Sequence, residues 1–244
     1  MHGLRAAQPL PSLLPNRTGV VLSIAMAAAV AALLLAMGRV PICTCGYVTL
    51  WWNDVNSFGN SQMLLDWYSP SHLIHGLLFY FFAHVVFVRC PAARARRLAG
   101  ASPLPRPATH QDTCVGGRAG ERAGAASTGR MPGAHLQRLA LPIAIGFEGF
   151  WELLENSPLI IERYRSVTVN FGYNGDSVLN SMSDIGCMTL GFLLASRLPA
   201  WSSVALALGL ELLTLWLIHD NLTLNVVMLL WPIDAIRTWQ GAVA

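Results

Sequence analysis

Apolar positions run through this chain in blocks of about twenty, and the polar positions that interrupt them recur at helical rather than strand spacing. Thr18 to Gly38 is an unbroken apolar run, long enough at about 1.5 Å per residue to cross a hydrocarbon core of about 30 Å. It reads as a retained span, because its core is too long for a signal peptide and no convincing cleavage site follows. The same reasoning predicts spans over Pro70–Cys90, Arg138–Glu155, Val178–Leu198 and Ala200–Ile218. Ser69 or Ser71 is the expected cap of the second span, and Asp176 or Ser177 that of the fourth. The tail from Asp220 is short and broken by Pro232, so it is expected to lie at the interface. The fold class is therefore all-α: a polytopic membrane helix bundle of about five transmembrane helices plus an interfacial C-terminal segment.

The third span is the anomaly. Glu148, Glu152 and Glu155 sit at i, i+4 and i+7, so all three share one narrow face of an otherwise apolar helix. An acid near the bilayer centre costs about 2.5–3.5 kcal/mol on insertion scales, so that face must meet protein, water or a cation rather than lipid. The second span carries His72 and His75 on a common face, and the fourth carries Asn180 and Asp184 in line with Asp176. Glu211 stands near the middle of the fifth.

Composition agrees with the pattern: 54% of the 244 residues are hydrophobic and 12% charged, against about 25% charged in soluble domains. Where the charge lies matters more than the net value of +3. Residues 91–137 are rich in Ala, Gly, Pro and Arg and predict a disordered loop between the halves of one membrane domain, 18–90 and 138–244, with 1–17 as a tail. The arginines from Arg89 to Arg138 place that loop and the N-terminus in the cytoplasm of a multi-pass cell (inner) membrane protein. Segments 39–69 and 156–177 and the C-terminal tail then face outward. His72, His75, Glu152, Glu155, Asn180 and Asp184 all fall within about 12 Å of the outer ends of their helices. Cys43 and Cys45 form a C-x-C pair that could close a small disulfide or bind a soft metal; two small apolar loop residues are the plainer reading.

The strings PICTCGYVTLWW, NSQMLLDWYSPSHLIHGLLFY, WELLENSPLIIERYR, GYNGDSVLNSMSDIGCMTLGFLLASRLP and DNLTLNVVMLLWPIDAIRTWQ resemble the bacterial uncharacterised protein family numbered 314. The resemblance covers nearly all of 39–90 and 139–240, and is more distantly similar to VanZ-like membrane proteins. It implies a multi-pass cell-membrane protein and carries no catalytic assignment.

Three functions fit the cluster. The first is an enzyme acting on a lipid or lipid-linked headgroup. There His72, His75, Glu152 and Asp184 would hold a divalent metal, with Glu155 as general base. Arg163 and Arg165, together with Asn156, Asp176 and Asn180, would bind the substrate. The second is a small transporter or proton relay through Glu148 and Glu211. The third is a structural or assembly protein in which the polar groups pair among themselves. The lipid bilayer is the expected partner, and nucleic acid is not.

Overall fold

A computed structural model describes residues 13–90, 137–168 and 173–241. Most of the expected tail and all but the last residue of the expected loop lie outside them. Among the described residues there are eight α-helices and no strand; a single bridge joins Trp51 to Leu65. Helix α1 (Arg17–Ala36) starts at Asn16, whose side chain accepts the Gly19 N–H at 2.9 Å. Helix α2 (Ser69–His84) runs on through a π-helical turn, Val85–Arg89. Helices α3 (Ala140–Glu155), α5 (Val178–Ala195) and α6 (Ala200–Ile218) are the remaining expected spans. Arg17–Ala36, Ser69–Arg89, Val178–Ala195 and Ala200–Ile218 are long and apolar enough to cross a membrane. At 16 residues, or about 24 Å, α3 is shorter than these.

Pro158 begins a further helix, α4 (Pro158–Val167), because proline suits a first helical turn whose N–H groups are unpaired anyway. The tail folds into two helices, α7 (Leu222–Leu230) and α8 (Asp234–Gly241), interrupted at Pro232. At the caps, Ser177 fulfils its expected role by accepting the Asn180 N–H at 3.2 Å. Tyr68, not a serine, occupies the cap position of α2.

The bundle is built from α2 packed along α5 and α1 packed along α3. Its core is filled by Leu34, Leu141, Ile145, Ile185, Met188 and Phe192. Gly76 and Gly191 let α2 and α5 touch backbone to backbone. A Cβ on Gly76 would stand 2.0 Å from the Met188 carbonyl, and one on Gly191 would stand 2.1 Å from that of Leu73. Helix α3 is inside out relative to a soluble helix: Glu148 and Glu152 are fully buried, while Phe147 and Phe150 are exposed. In a bilayer that arrangement gives the phenyl rings to lipid and the acids to the bundle.

Segments 39–68, 156–168 and 173–177 and the tail gather over one end of the bundle. Arg39 donates to the carbonyls of Asp176 (3.1 Å) and Asn174 (2.5 Å), and Gln62 donates to that of Gly175 (2.8 Å). Ser177 and Val178 donate their N–H groups to the carbonyls of Ser61 and Val40. A disulfide joins Cys43 to Cys45 within this cap, so the pair is bonded rather than two separate loop residues.

Candidate functional site

Under the cap, α2, α3 and α5 bring their polar faces together. The Nδ1 of His72 lies 2.6 Å from Glu148 Oε1, and that of His75 lies 3.0 Å from Glu148 Oε2. One carboxylate thus holds both imidazoles, whose ring centroids are 5.4 Å apart. His72 also stands 3.6 Å from Glu152 Oε1 through Nδ1 and 3.9 Å from Asp184 Oδ2 through Nε2. Glu152 is completely buried, and neither of its oxygens has a hydrogen-bond partner. His72, Glu152 and Asp184 offer donor atoms within 4.8 Å of one another, as do His72, His75 and Glu148.

Those separations suit a divalent ion bound at about 2.0–2.2 Å per ligand, and a set of imidazole and carboxylate donors is the chemistry of zinc, manganese or iron. Glu148 engages the Nδ1 of both rings and so fixes their orientation, as carboxylates beside metal-binding histidines do, while the Nε2 of His72 faces Asp184.

A cavity of about 280 Å³ opens beside the cluster, lined among others by His72, His75, Glu148, Glu155, Asp176 and Asp184. No lysine or arginine is among the described residues that line it. Asn180 lines it too, and its amide donates to the Met63 carbonyl at 2.9 Å. Asn156 is one layer removed, paired reciprocally with Asp176: its Nδ2 donates to Oδ2 at 2.8 Å, and its Oδ1 accepts the Asp176 N–H at 2.7 Å. Burial pushes the Asp176 carboxyl up, opposed by hydrogen bonds from Asn156 and Tyr173.

Arg163 and Arg165 do not line the cavity. The Nε of Arg163 donates to the Leu229 carbonyl at 3.0 Å, and that of Arg165 donates to the Tyr173 carbonyl at 2.5 Å, so both brace the cap. The pattern of charges shows two basic groups near the surface but cannot show that backbone carbonyls have claimed them.

Glu148, which the sequence pattern offers only as part of a proton relay, is the carboxylate that joins the two histidines. The helical rise contains the missing signal: His75 lies about 9 Å below the start of α2 and Glu148 about 10 Å below the end of α3, so antiparallel helices place them level. Asp66 was missed as well. Fully buried on the cavity wall, it accepts the N–H groups of Ser61 (2.9 Å) and Tyr68 (2.8 Å), and its place three residues ahead of α2 is a turn signal. Tyr68, Tyr164 and Tyr173 also line the cavity, and no motif marks them.

Glu211 stands apart from the site. Its Oε1 accepts the Leu222 N–H at 3.0 Å, and its Oε2 accepts the Thr223 N–H at 3.1 Å and the Thr223 hydroxyl at 2.5 Å. It caps α7 rather than extending a polar path inward.

A family described as a protein of unknown function, DUF2585, matches residues 34–103 and 128–242. A UPF0314 protein of Novosphingobium aromaticivorans is 47% identical over 229 residues, covering 94% of this chain and 96% of the relative. A UPF0314 protein of Paracoccus denitrificans is 46% identical, covering 86% of this chain and 85% of the relative. No solved structure matches. With both the family-wide match and near full-length relatives at this identity, the chain belongs to the uncharacterised UPF0314 (DUF2585) family.

Proposed function

We propose that this protein is a divalent-metal-dependent enzyme of the cell inner membrane, working from the outer face on the headgroup of a lipid or lipid-linked molecule. The observation that carries the reading is Glu152: a fully buried carboxylate with no hydrogen-bond donor, beside His72 and Asp184. A buried polar group without a partner costs several kcal/mol, roughly 2–7, and a charged one costs more. An ion held by His72, Glu152 and Asp184, with His75 alongside, removes that cost and supplies a Lewis acid next to the cavity. Glu148 fixes the imidazoles, and Glu155 lies on the cavity wall beyond them.

The positive-inside rule supports the orientation: the arginine-rich segment belongs in the cytoplasm, and the cap and cavity belong outside. A transport path has less support, because Glu211 is spent on a helix cap.

Elemental analysis of the purified full chain tests the metal. The expected result is about one zinc, manganese or iron per chain, lost in Glu152→Gln and His72→Ala. A wild type that carries none and takes up none on dialysis against these ions overturns the reading. Lipid mass spectrometry of membranes from cells overproducing wild type or Asp184→Asn tests the chemistry. A headgroup change that depends on Asp184 is expected, and identical lipid profiles refute catalysis on lipids.

A further inference from the structure

Two aromatic rings meet at a corner of the cavity wall. Tyr164 of α4 and Tyr173 of the following segment have centroids 5.4 Å apart and planes at 75°. Trp151 and Phe79 line the same space. The hydroxyls are already committed, Tyr164 donating to Asn225 Oδ1 at 2.7 Å and Tyr173 to Asp176 Oδ1 at 3.1 Å. The corner therefore offers ring surface. Glu155 and Asp176 line the same cavity as the two rings, and Asp176 lies within hydrogen-bond distance of Tyr173.

Rings at right angles flanked by acids are the surroundings that stabilise a cation with apolar substituents, because the ring faces are electron-rich and the acids supply the counter-charge. The carboxyl groups of Asp66, Glu148, Glu155, Asp176 and Asp184 line the cavity, with no arginine or lysine among its described lining residues. The two arginines nearest in sequence, Arg163 and Arg165, are turned to carbonyls of the cap and do not reach the cavity.

Asn60 is an independent sign of a ligand. It lines the cavity at 7% exposure, and both polar atoms of its side-chain amide are buried without a partner. A ligand with a polar atom next to its cationic group satisfies them.

We infer that the cavity binds an organic ammonium group, carried by an amine-bearing lipid headgroup or by a free amine, in the corner of Tyr164 and Tyr173 and against Glu155 and Asp176. This rests on the cavity being the substrate's place in the proposed function, and it sets Glu155 at the ammonium rather than at a metal-bound water.

Titration of the purified full chain by tryptophan fluorescence and calorimetry tests it, with choline and ethanolamine as cations and 3,3-dimethyl-1-butanol as the neutral isostere of choline. Saturable choline binding is expected, with the isostere about tenfold weaker or worse. Glu155→Gln and Trp151→Leu should each weaken choline by about fivefold or more. In nanodiscs, a response to phosphatidylethanolamine but not phosphatidylglycerol, without a response to free amines, identifies a lipid as the source; a response to free amines identifies a soluble one.

Equal binding of choline and its isostere, unchanged affinity in both variants, or silence toward every ammonium probe overturns the inference. Repeating the titration after chelation separates the two claims. Metal-bound protein that ignores all ammonium probes leaves the metal standing and removes the ammonium, whereas metal-free protein that still prefers choline does the reverse.

Discussion

Glu152 and Glu211 are acids of the same kind on two apolar helices, and the structure treats them oppositely. Glu211 on α6 is half-buried and accepts three hydrogen bonds from the start of α7. Glu152 on α3 is fully buried and accepts none. An acid whose oxygens are filled by donors is explained by the fold that it holds together. One whose oxygens are left open inside the bundle costs the fold something, and its reason has to lie in what the site binds. The helices show the same contrast: α6 buries only Thr214, whereas α3 buries Glu148 and Glu152 among the other helices.

The largest effect expected from this contrast is on bound metal. His72→Ala and Glu152→Gln should remove essentially all of the ion. Glu148→Gln should weaken it by about 10–100-fold while leaving it detectable, as expected of a carboxylate that orients ligands instead of serving as one. In chelator, Glu152→Gln should be as stable as the wild type or more so, because an amide is cheaper to bury than a carboxylate. The comparison breaks if metal-free Glu152→Gln melts well below wild type, since the acid would then be structural after all.

Next in size is the close contact that sets the site's geometry. Gly76 lies one helical turn below His72, and Gly191 lies two turns below Asp184, so the backbone approach of α2 and α5 fixes the distance between two ligands. Gly76→Ala has to push the helices apart or distort one of them, because the added methyl would fall 2.0 Å from a carbonyl oxygen. A loss of about 1–3 kcal/mol, typical of overpacking, should appear in thermal unfolding together with weaker metal binding. Metal binding left intact in a destabilised Gly76→Ala protein would show that the site is not held by this contact.

Glu211→Ala should cost about 1–3 kcal/mol by leaving N–H groups of α7 unpaired, with metal content unchanged. Thermal unfolding and elemental analysis of one preparation check both halves. This pair also marks what could be read from the chain alone. The apolar runs and the i, i+4, i+7 spacing located the spans and turned the acids of α3 toward α2 and α5, because lipid excludes charge. Which acid meets which histidine depends on depth, and a count of helical rises puts Glu148 level with His75. Glu211 looked equivalent to Glu148 because no sequence rule foretells that the chain turns back at His219 and presents two N–H groups to it. Arg163, Arg165 and the tyrosines are illegible for the same reason: their partners lie on elements distant in sequence or in irregular segments.

The smallest effect expected lies in the cap. Asp220 follows α6 and accepts the Tyr68 hydroxyl at 3.2 Å and the Gln240 amide at 3.1 Å, tying α8 and the start of α2 to one carboxyl. Burial pushes its pKa up from 3.8 to about 6, opposed by hydrogen bonds from the Asn221 N–H and the Tyr68 and Asn225 side chains. The folded chain therefore holds a proton on Asp220 in a range where the unfolded chain has lost it. The stability this contributes is fully present below about pH 4 and is lost as pH rises through about 6. Thermal unfolding of chelated protein should show a midpoint that falls across that window in the wild type and stays flatter in Asp220→Asn, whose amide keeps an acceptor for Tyr68 without a proton to lose. An identical slope in both proteins would assign the pH dependence to other acids. Asp220 would then join Glu211 as an acid fully answered by its neighbours.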